Sequence, residues 1–373
     1  MKLTRRQLLA STAAAAGTGA LAGCIGDGAS SESETAQASF FVFGDIAAHV
    51  AGDTTSTNLL VPVGQHGHGW EPGPSVREDI NNAELLLHGM EGFQPWVDDI
   101  LTDIDVDAPD LNAVDVTSGL DLLEAGADHN HGEHEEEEEE HHSEEEHHSE
   151  EEHHSEEEHH SEEEHHSEEE HHSEEEHHSE EEHHDEHEED DEDDHGSMDP
   201  HFWMDPLRVK AATETVRDGF VDVDSDNEDA YVENAQAYSD ELDALHEQVE
   251  TLIAEASQDV LLIAGHDSFQ YFGDQYGVTI EALTNVSPDD SPTARDIDRA
   301  QEVIETHGLQ YICADPLESQ EAAEQLVAET DAKEVLPLTA MPGLTEEWES
   351  EDWGYVEVME NVNLPTLERA LDA

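Results

Sequence analysis

Residues 229–256 read "DAYVENAQAYSDELDALHEQVETLIAEA". Tyr231, Ala235, Tyr238, Leu242, Leu245, Val249 and Ile253 recur at spacings of three and four, the signature of a helix with one apolar stripe. No glycine or proline interrupts the run. At 1.5 Å per residue, about 28 residues make a helix roughly 42 Å long, enough to run the length of a two-lobed molecule. The segments on either side repeat one alternation. Before it come "ASFFVFGDIAAHVAGD", read as a strand and a helix, "STNLLVPVG" as a strand, "SVREDINNAELLLHG" as a helix running into a strand, and "GFQPWVDDIL" as a helix. After it come "DVLLIAGH", "VTIEAL", "LQYICA" and "AKEVLPL", read as strands with helices between them, and "DWGYVEVMENVNLPTLERAL", read as a last helix. The pattern predicts an α/β protein of two Rossmann-like lobes, residues 39–228 and 257–373, joined by one long rigid helix at 229–256.

The chain opens "MKLTRRQLLASTAAAAGTGALAGC". A basic start, a short run of small apolar residues and a cysteine read as an export signal over residues 1–23 rather than a fold element. Arg5 and Arg6 resemble a twin-arginine signal, and "LAGC" resembles a lipobox that makes Cys24 the lipid-bearing first residue of the mature chain. The apolar run falls short of the roughly 20 residues a membrane span needs. Residues 24–38, polar and rich in serine, read as a flexible tether. Beyond Cys24 the one cysteine is Cys313, so an internal disulfide has no partner.

The formal net charge is -88, from 99 acidic and 11 basic residues. Asp128 to His195 holds 38 of the acidic residues, leaving 61 elsewhere. Such a surface repels itself in dilute buffer and is tolerated where concentrated salt screens it. The expectation is a halophile of the haloarchaeal type, and nucleic acid is excluded as a partner.

Within residues 128–197 the unit "HHSEEE" repeats seven times from His141. The stretch has no apolar side chains from His134 to Gly196, so it cannot bury a core and reads as a disordered insert. Its imidazoles, among them His141, His142, His147, His148, His153 and His154, make a low-affinity metal tract. A tight site needs fixed ligands, because ordering the chain around one ion costs about 1–2 kcal/mol per residue. The tract is therefore read as an accessory, or as a replication-slippage product without a role.

Eight histidines lie outside the insert. His68 sits in the Gly and Pro-rich loop "PVGQHGHGWEPGPSVRED", His201 in "DPHFWMDP", and His266 after the strand "VLLIAG". Each stands just past a strand or in a turn of an α/β lobe, where ligand sites gather. His49, His88, His246 and His307 fall on ordinary helical or strand faces and read as structural or solvated.

Five stretches, in order, resemble one family. They are "GQHGHGWEPGPS", "NAELLLHGMEGFQPWVDDIL", "DPHFWMDP", "AGHDSFQYFGDQYG" and "YVEVMENVNLPTLERAL". The chain resembles the ZnuA-like zinc and manganese solute-binding lipoproteins of ABC importers from about Ser39 to Ala373, the insert excepted. The insert falls between the first and second stretches that carry ligands, where zinc members also have one. The resemblance implies two α/β lobes on a rigid helix, with His68, His201 and His266 as metal ligands and His66 or Glu71 as auxiliaries. The manganese-type members supply two carboxylates from the second lobe. Here the first falls on His266 and the second within "VLPLTAMPG", which has no carboxylate. Three imidazoles suit Zn2+ better than Mn2+. A water or Glu71 is left to fill the fourth position.

The expected function is capture of Zn2+ between two lobes and delivery to a membrane ABC permease by a monomeric, cell-surface lipoprotein anchored at Cys24 to the cytoplasmic membrane. It is not expected to be an enzyme: no "HExxH" helix and no clear general base accompany the histidines. The alternatives are a manganese or iron importer component and a zinc-buffering surface protein.

Overall fold

Two four-stranded parallel sheets repeat the same strand order. The computed structural model describes residues 36–67, 70–107, 111–126, 198–288 and 290–373. The signal, Cys24, His68 and the whole His/Glu tract from His141 through His154 and beyond lie outside the described residues. In the first lobe β1 (Ala36–Ala38), β2 (Thr57–Leu59), β3 (Leu85–His88) and β4 (Asn112–Asp115) lie in the order β2-β1-β3-β4. Helices α1 (Phe41–Ala51), α2 (Pro74–Asn81) and α3 (Pro95–Asp107) connect them. After α4 (Pro206–Val223) and α5 (Glu228–Glu255), the second lobe sets β5 (Val260–Ile263), β6 (Thr279–Ala282), β7 (Tyr311–Ala314) and β8 (Glu334–Pro337) in the order β6-β5-β7-β8. Its helices are α6 (Gln270–Tyr276), α7 (Ala294–His307) and α8 (Glu321–Glu329), followed by α9 (Glu346–Ser350), α10 (Tyr355–Val358) and α11 (Leu364–Ala370).

Alternation along the strands builds the layers. Leu261 and Ile263 of β5 face a core that continues through both lobes, whereas Val260 and Leu262 face an outer cluster with Ile297 and Ile304 of α7. On β3, Leu85 and Leu87 join the shared core and Leu86 turns to an outer cluster with Ile80 and Trp96. Local signals agree with the ends. Asp205 caps α4 through Leu207 N–H, with Pro206 in the first turn. Thr293 and Asp296 form a capping box on α7, and Gly308 closes that helix at φ 65°.

Two readings need correction. The tether was expected to end at residue 38, but Ala36–Ala38 is the strand that pairs with both β2 and β3. Short and without large side chains, it is fixed by neighbours on both edges rather than by its own composition. The aromatic run that looked like this strand instead begins α1: Phe41, Val42, Phe43 and Ile46 are all buried. Packing from several sides overrides the β preference of those residues. The stretch 355–370, expected as one helix, is continuous but carries a π-helical turn at Met359–Asn363.

The long helix is α5. It buries Tyr231, Ala235, Tyr238, Leu242, Leu245 and Val249, with Ile253 half-buried. Tyr238 Oη donates to Asp45 Oδ2 at 2.8 Å and Asn234 Nδ2 to Val50 O at 3.0 Å, which fixes it to α1 of the first lobe. His246 Nδ1 lies 2.9 Å from Tyr276 Oη on α6 of the second. Replacing fully buried Leu242 by alanine should cost about 2–5 kcal/mol. Denaturant unfolding at constant high salt checks this; a loss under about 1 kcal/mol would mean that the stripe is not a core.

Candidate metal centre

In both sheets the strand order reverses between the first strand and the third, opening a crevice at their carboxyl ends. The residues that follow β5 and β7 enter this crevice. His266 stands just past β5 and is 5% exposed. His201 comes from the turn that leads through Phe202–Met204 into α4 and is 1% exposed.

The two imidazoles face each other, Nε2 to Nε2, at 3.3 Å, with ring centroids 5.1 Å apart. Two nitrogens bound at about 2.05 Å to one tetrahedral ion stand about 3.3 Å apart. The opposite edge of each ring meets a carboxylate: His201 Nδ1 is 2.8 Å from Asp199 Oδ1, and His266 Nδ1 is 2.8 Å from Glu318 Oε1. A carboxylate hydrogen-bonded at Nδ1, as Asp199 is, favours the proton there and leaves the Nε2 lone pair facing the other ring. Two lone pairs at this distance repel unless a cation lies between them. Burial pushes the His201 pKa down despite the opposing charge of Asp199, so the ring stays neutral and able to ligate at lower pH than an exposed imidazole. Burial acts to raise the Glu318 pKa, but the neighbouring imidazoles of His266 and His66 outweigh it and hold the carboxyl at about 2.

The supports are specific. Asp199 Oδ1 also accepts from His201 N–H, at 2.9 Å, so an Asp-x-His turn fixes both the ring and its own backbone. Tyr271 Oη donates to Asp199 O and accepts from Leu123 N–H, and Asp199 N–H donates to Leu123 O. Trp203 lies edge-on to His201 and donates Nε1–H to Ala340 O at 2.7 Å. Phe40, Phe43, Phe93 and Phe202 pack around Trp203 and form a dry floor.

The first histidine loop enters over this floor. Gly67 O accepts from Gln94 Nε2, and Gly67 N–H donates to Pro342 O at 2.7 Å. A side chain at position 67 would collide with the Phe40 ring. The 339–344 loop that meets it is braced from below. Asp315 accepts from Thr339 and from Ala340 N–H, and Asn363, in the π-helical turn, bonds both backbone groups of Thr339. Burial pushes Asp315 up to about 6.

Of the residues named from sequence, His201 and His266 are brought together. His66 sits instead over Glu318, its Nε2 3.6 Å from Oε1, with its ring 6.4 Å from that of His266. Glu71 is exposed. His68 lies outside the described residues; among those described, no three His, Cys, Asp or Glu side chains gather in metal-holding geometry. Asp199 and Glu318 were missed. Asp199 had a readable signal, an aspartate two residues before a histidine between prolines. Glu318 had none, because only the fold brings the end of β7 beside His266. A cleft of about 690 Å³ opens over His66, His266, Glu318 and Trp70.

Two α/β lobes thus bring a pair of buried imidazoles, each beside a carboxylate, to the carboxyl ends of their strands. The chain belongs to the family described as zinc-uptake complex component A, periplasmic (ZnuA), whose model matches residues 37–370. It is 26% identical over 337 residues to the zinc-binding lipoprotein AdcA of Streptococcus pneumoniae, a match over 89% of this chain and 55% of that protein. This chain therefore spans about half the length of that relative. It is 24% identical over 332 residues to the high-affinity zinc uptake system protein ZnuA of Bacillus subtilis, over 89% and 86% of the two chains. The crystal structure of the Zn(II)-bound ZnuA-like domain of Streptococcus pneumoniae AdcA has the same fold, with a TM-score of 0.64, 22% identity, and coverage of 91% of this chain and 99% of that one.

Proposed function

We propose that this chain is the extracytoplasmic zinc-binding component of an ABC importer, which takes Zn2+ between its lobes and passes it to a membrane permease. The observation that carries the reading is the Nε2 pair of His201 and His266 at the spacing of two ligands on one tetrahedral ion. His68 is the third ligand, and the fourth position falls to water or Glu71. Imidazole donors favour zinc over manganese, which prefers oxygen. Membership in a family described as a zinc-uptake component supports the same cargo. A carrier must bind tightly and release, which asks for ligation without bond chemistry.

The remaining parts of the reading rest on sequence. Arg5 and Arg6 direct twin-arginine export, Cys24 carries the lipid that anchors the monomer at the cell surface, and the acidic excess marks a halophile of the haloarchaeal type. The tract collects metal at weak, exchanging sites and supplies no primary ligand. Among the described residues, no helix is long and apolar enough to cross a membrane.

Zinc titration of intact protein and of protein lacking residues 129–195, both at high salt, tests this. The expected result is one tight zinc per chain in each, with the weakly bound ions lost on deletion. On acidification through about pH 6.5 the weak sites should empty first. Exposed imidazoles protonate near that value, and neighbouring glutamates favour the charged form. Burial lowers the His201 pKa, so the tight site should persist to lower pH. Loss of the tight site with the tract would overturn the reading, and several comparable ions per intact chain would favour a zinc buffer.

A further inference from the structure

Glu318 enters the metal centre through a single short contact, to His266 Nδ1, and the fold builds a place for it. It follows β7, in a turn where Glu318 N–H donates to Asp315 O at 3.0 Å and Leu317 N–H to Asp315 Oδ1 at 2.8 Å. Gln320 Nε2 closes the turn through Asp315 O and Glu318 O. Its carboxylate lies against Gly265, where a Cβ would stand 2.8 Å from Oε2. Glycine before His266 is therefore what admits the carboxylate to the imidazole edge.

From that place one oxygen lies near two histidines on two lobes: Oε1 is 2.8 Å from His266 Nδ1 and, beyond hydrogen-bond distance, 3.6 Å from His66 Nε2. The side chain is 20% exposed at the edge of the cleft. Nδ1 and Nε2 lie on different edges of the ring. A carboxylate on the Nδ1 edge of His266 therefore cannot ligate an ion held between the facing Nε2 atoms. It can fix the ring's rotation and its proton, and it can raise the basicity of Nε2.

Resting on the zinc reading above, we infer that Glu318 is a positioning residue for metal capture, holding His266 as the Nδ1–H tautomer. Without it, His266 loses the anchor that selects Nδ1–H, and each zinc bound must first reorient the ring. The loss expected on removing such a partner is about 10–100-fold in metal affinity. His66→Ala, which leaves the Glu318–His266 contact in place, should cost less.

The test compares wild type, Glu318→Ala, Glu318→Gln and His201→Ala at high salt, by competitive zinc titration and by 15N NMR of the imidazoles in metal-free protein. Wild type should show His266 as Nδ1–H. Glu318→Ala should lose that signature together with about 10–100-fold in affinity. Glu318→Gln, whose amide oxygen still accepts the Nδ1 proton, should keep the tautomer and recover part of the loss. Wild-type affinity and an unchanged tautomer in Glu318→Ala, beside a weakened His201→Ala, would overturn the inference and leave the zinc centre standing. An unaffected His201→Ala would instead overturn the zinc centre, and the tautomer would still decide the role of Glu318. Should Glu318→Ala fail to fold, Glu318→Gln decides: affinity equal to wild type would overturn the role assigned to the charge.

Discussion

His201→Ala protein, titrated with zinc at high salt, should bind at least about a hundredfold more weakly than wild type, a loss of about 2.8 kcal/mol. The size follows from what the residue brings. Its ring is fixed before metal arrives by Asp199, which bonds both Nδ1 and the backbone N–H, and by the edge of Trp203. A preorganised ligand contributes its bond without an ordering cost, so its removal forfeits the whole of it. His88→Ala is the control. His88 ends β3 with Nδ1 2.7 Å from Gly89 O, and its loss should leave affinity nearly unchanged. Equal affinities for the two variants would remove His201 from the site.

Dialysis from molar to millimolar salt should loosen or unfold the lobes, seen as loss of helical circular dichroism and a fall in Tm. Of the 11 basic residues, Lys2, Arg5 and Arg6 fall within residues 1–23, so eight remain to face the 61 acidic residues outside 128–195. Arg77, Arg208, Lys210, Arg217, Arg299 and Arg369 each already pair with carboxylates. Arg295 and Lys333 aside, the rest of the negative charge is countered by solution ions. The screening length rises from about 3 Å at 1 M to about 30 Å at 0.01 M salt. Carboxylates that ignore one another in the first medium repel across a whole lobe in the second. Native dichroism after dialysis into low salt would show that packing outweighs that repulsion.

The fold was legible where periodicity is long or apolar runs are bounded by turns. Helix α5 announced itself over seven stripe positions, and β5 to β8 by short β-branched or aromatic runs. It was not legible at β1, where "AQA" has no strand-like composition and owes its place to pairing on both edges. Nor was it legible at β4, where the short "NAVD" pairs with β3 along one edge only. His201 and His266, which the fold brings face to face, stood out in the sequence because glycine, proline and aromatic residues mark their turns. Glu318 was not, since acidic residues crowd this sequence and one more carries no signal. His66 shows the limit of spacing: two residues from His68 in one loop, it meets a carboxylate rather than the facing imidazoles.

Glu124 and Met198 form an isolated antiparallel bridge, and Tyr271 ties Leu123 to Asp199 beside it. The two ends of the repeat-bearing insertion are thereby stapled at one address, a residue or two from the carboxylate that orients His201. For a loop closed in this way, doubling its length costs only about 0.6 kcal/mol. By that arithmetic a change in the copy number of a six-residue unit costs the lobes little. Whatever the number of repeats in the sequence, residues 124 and 198 meet on the same bridge beside Asp199.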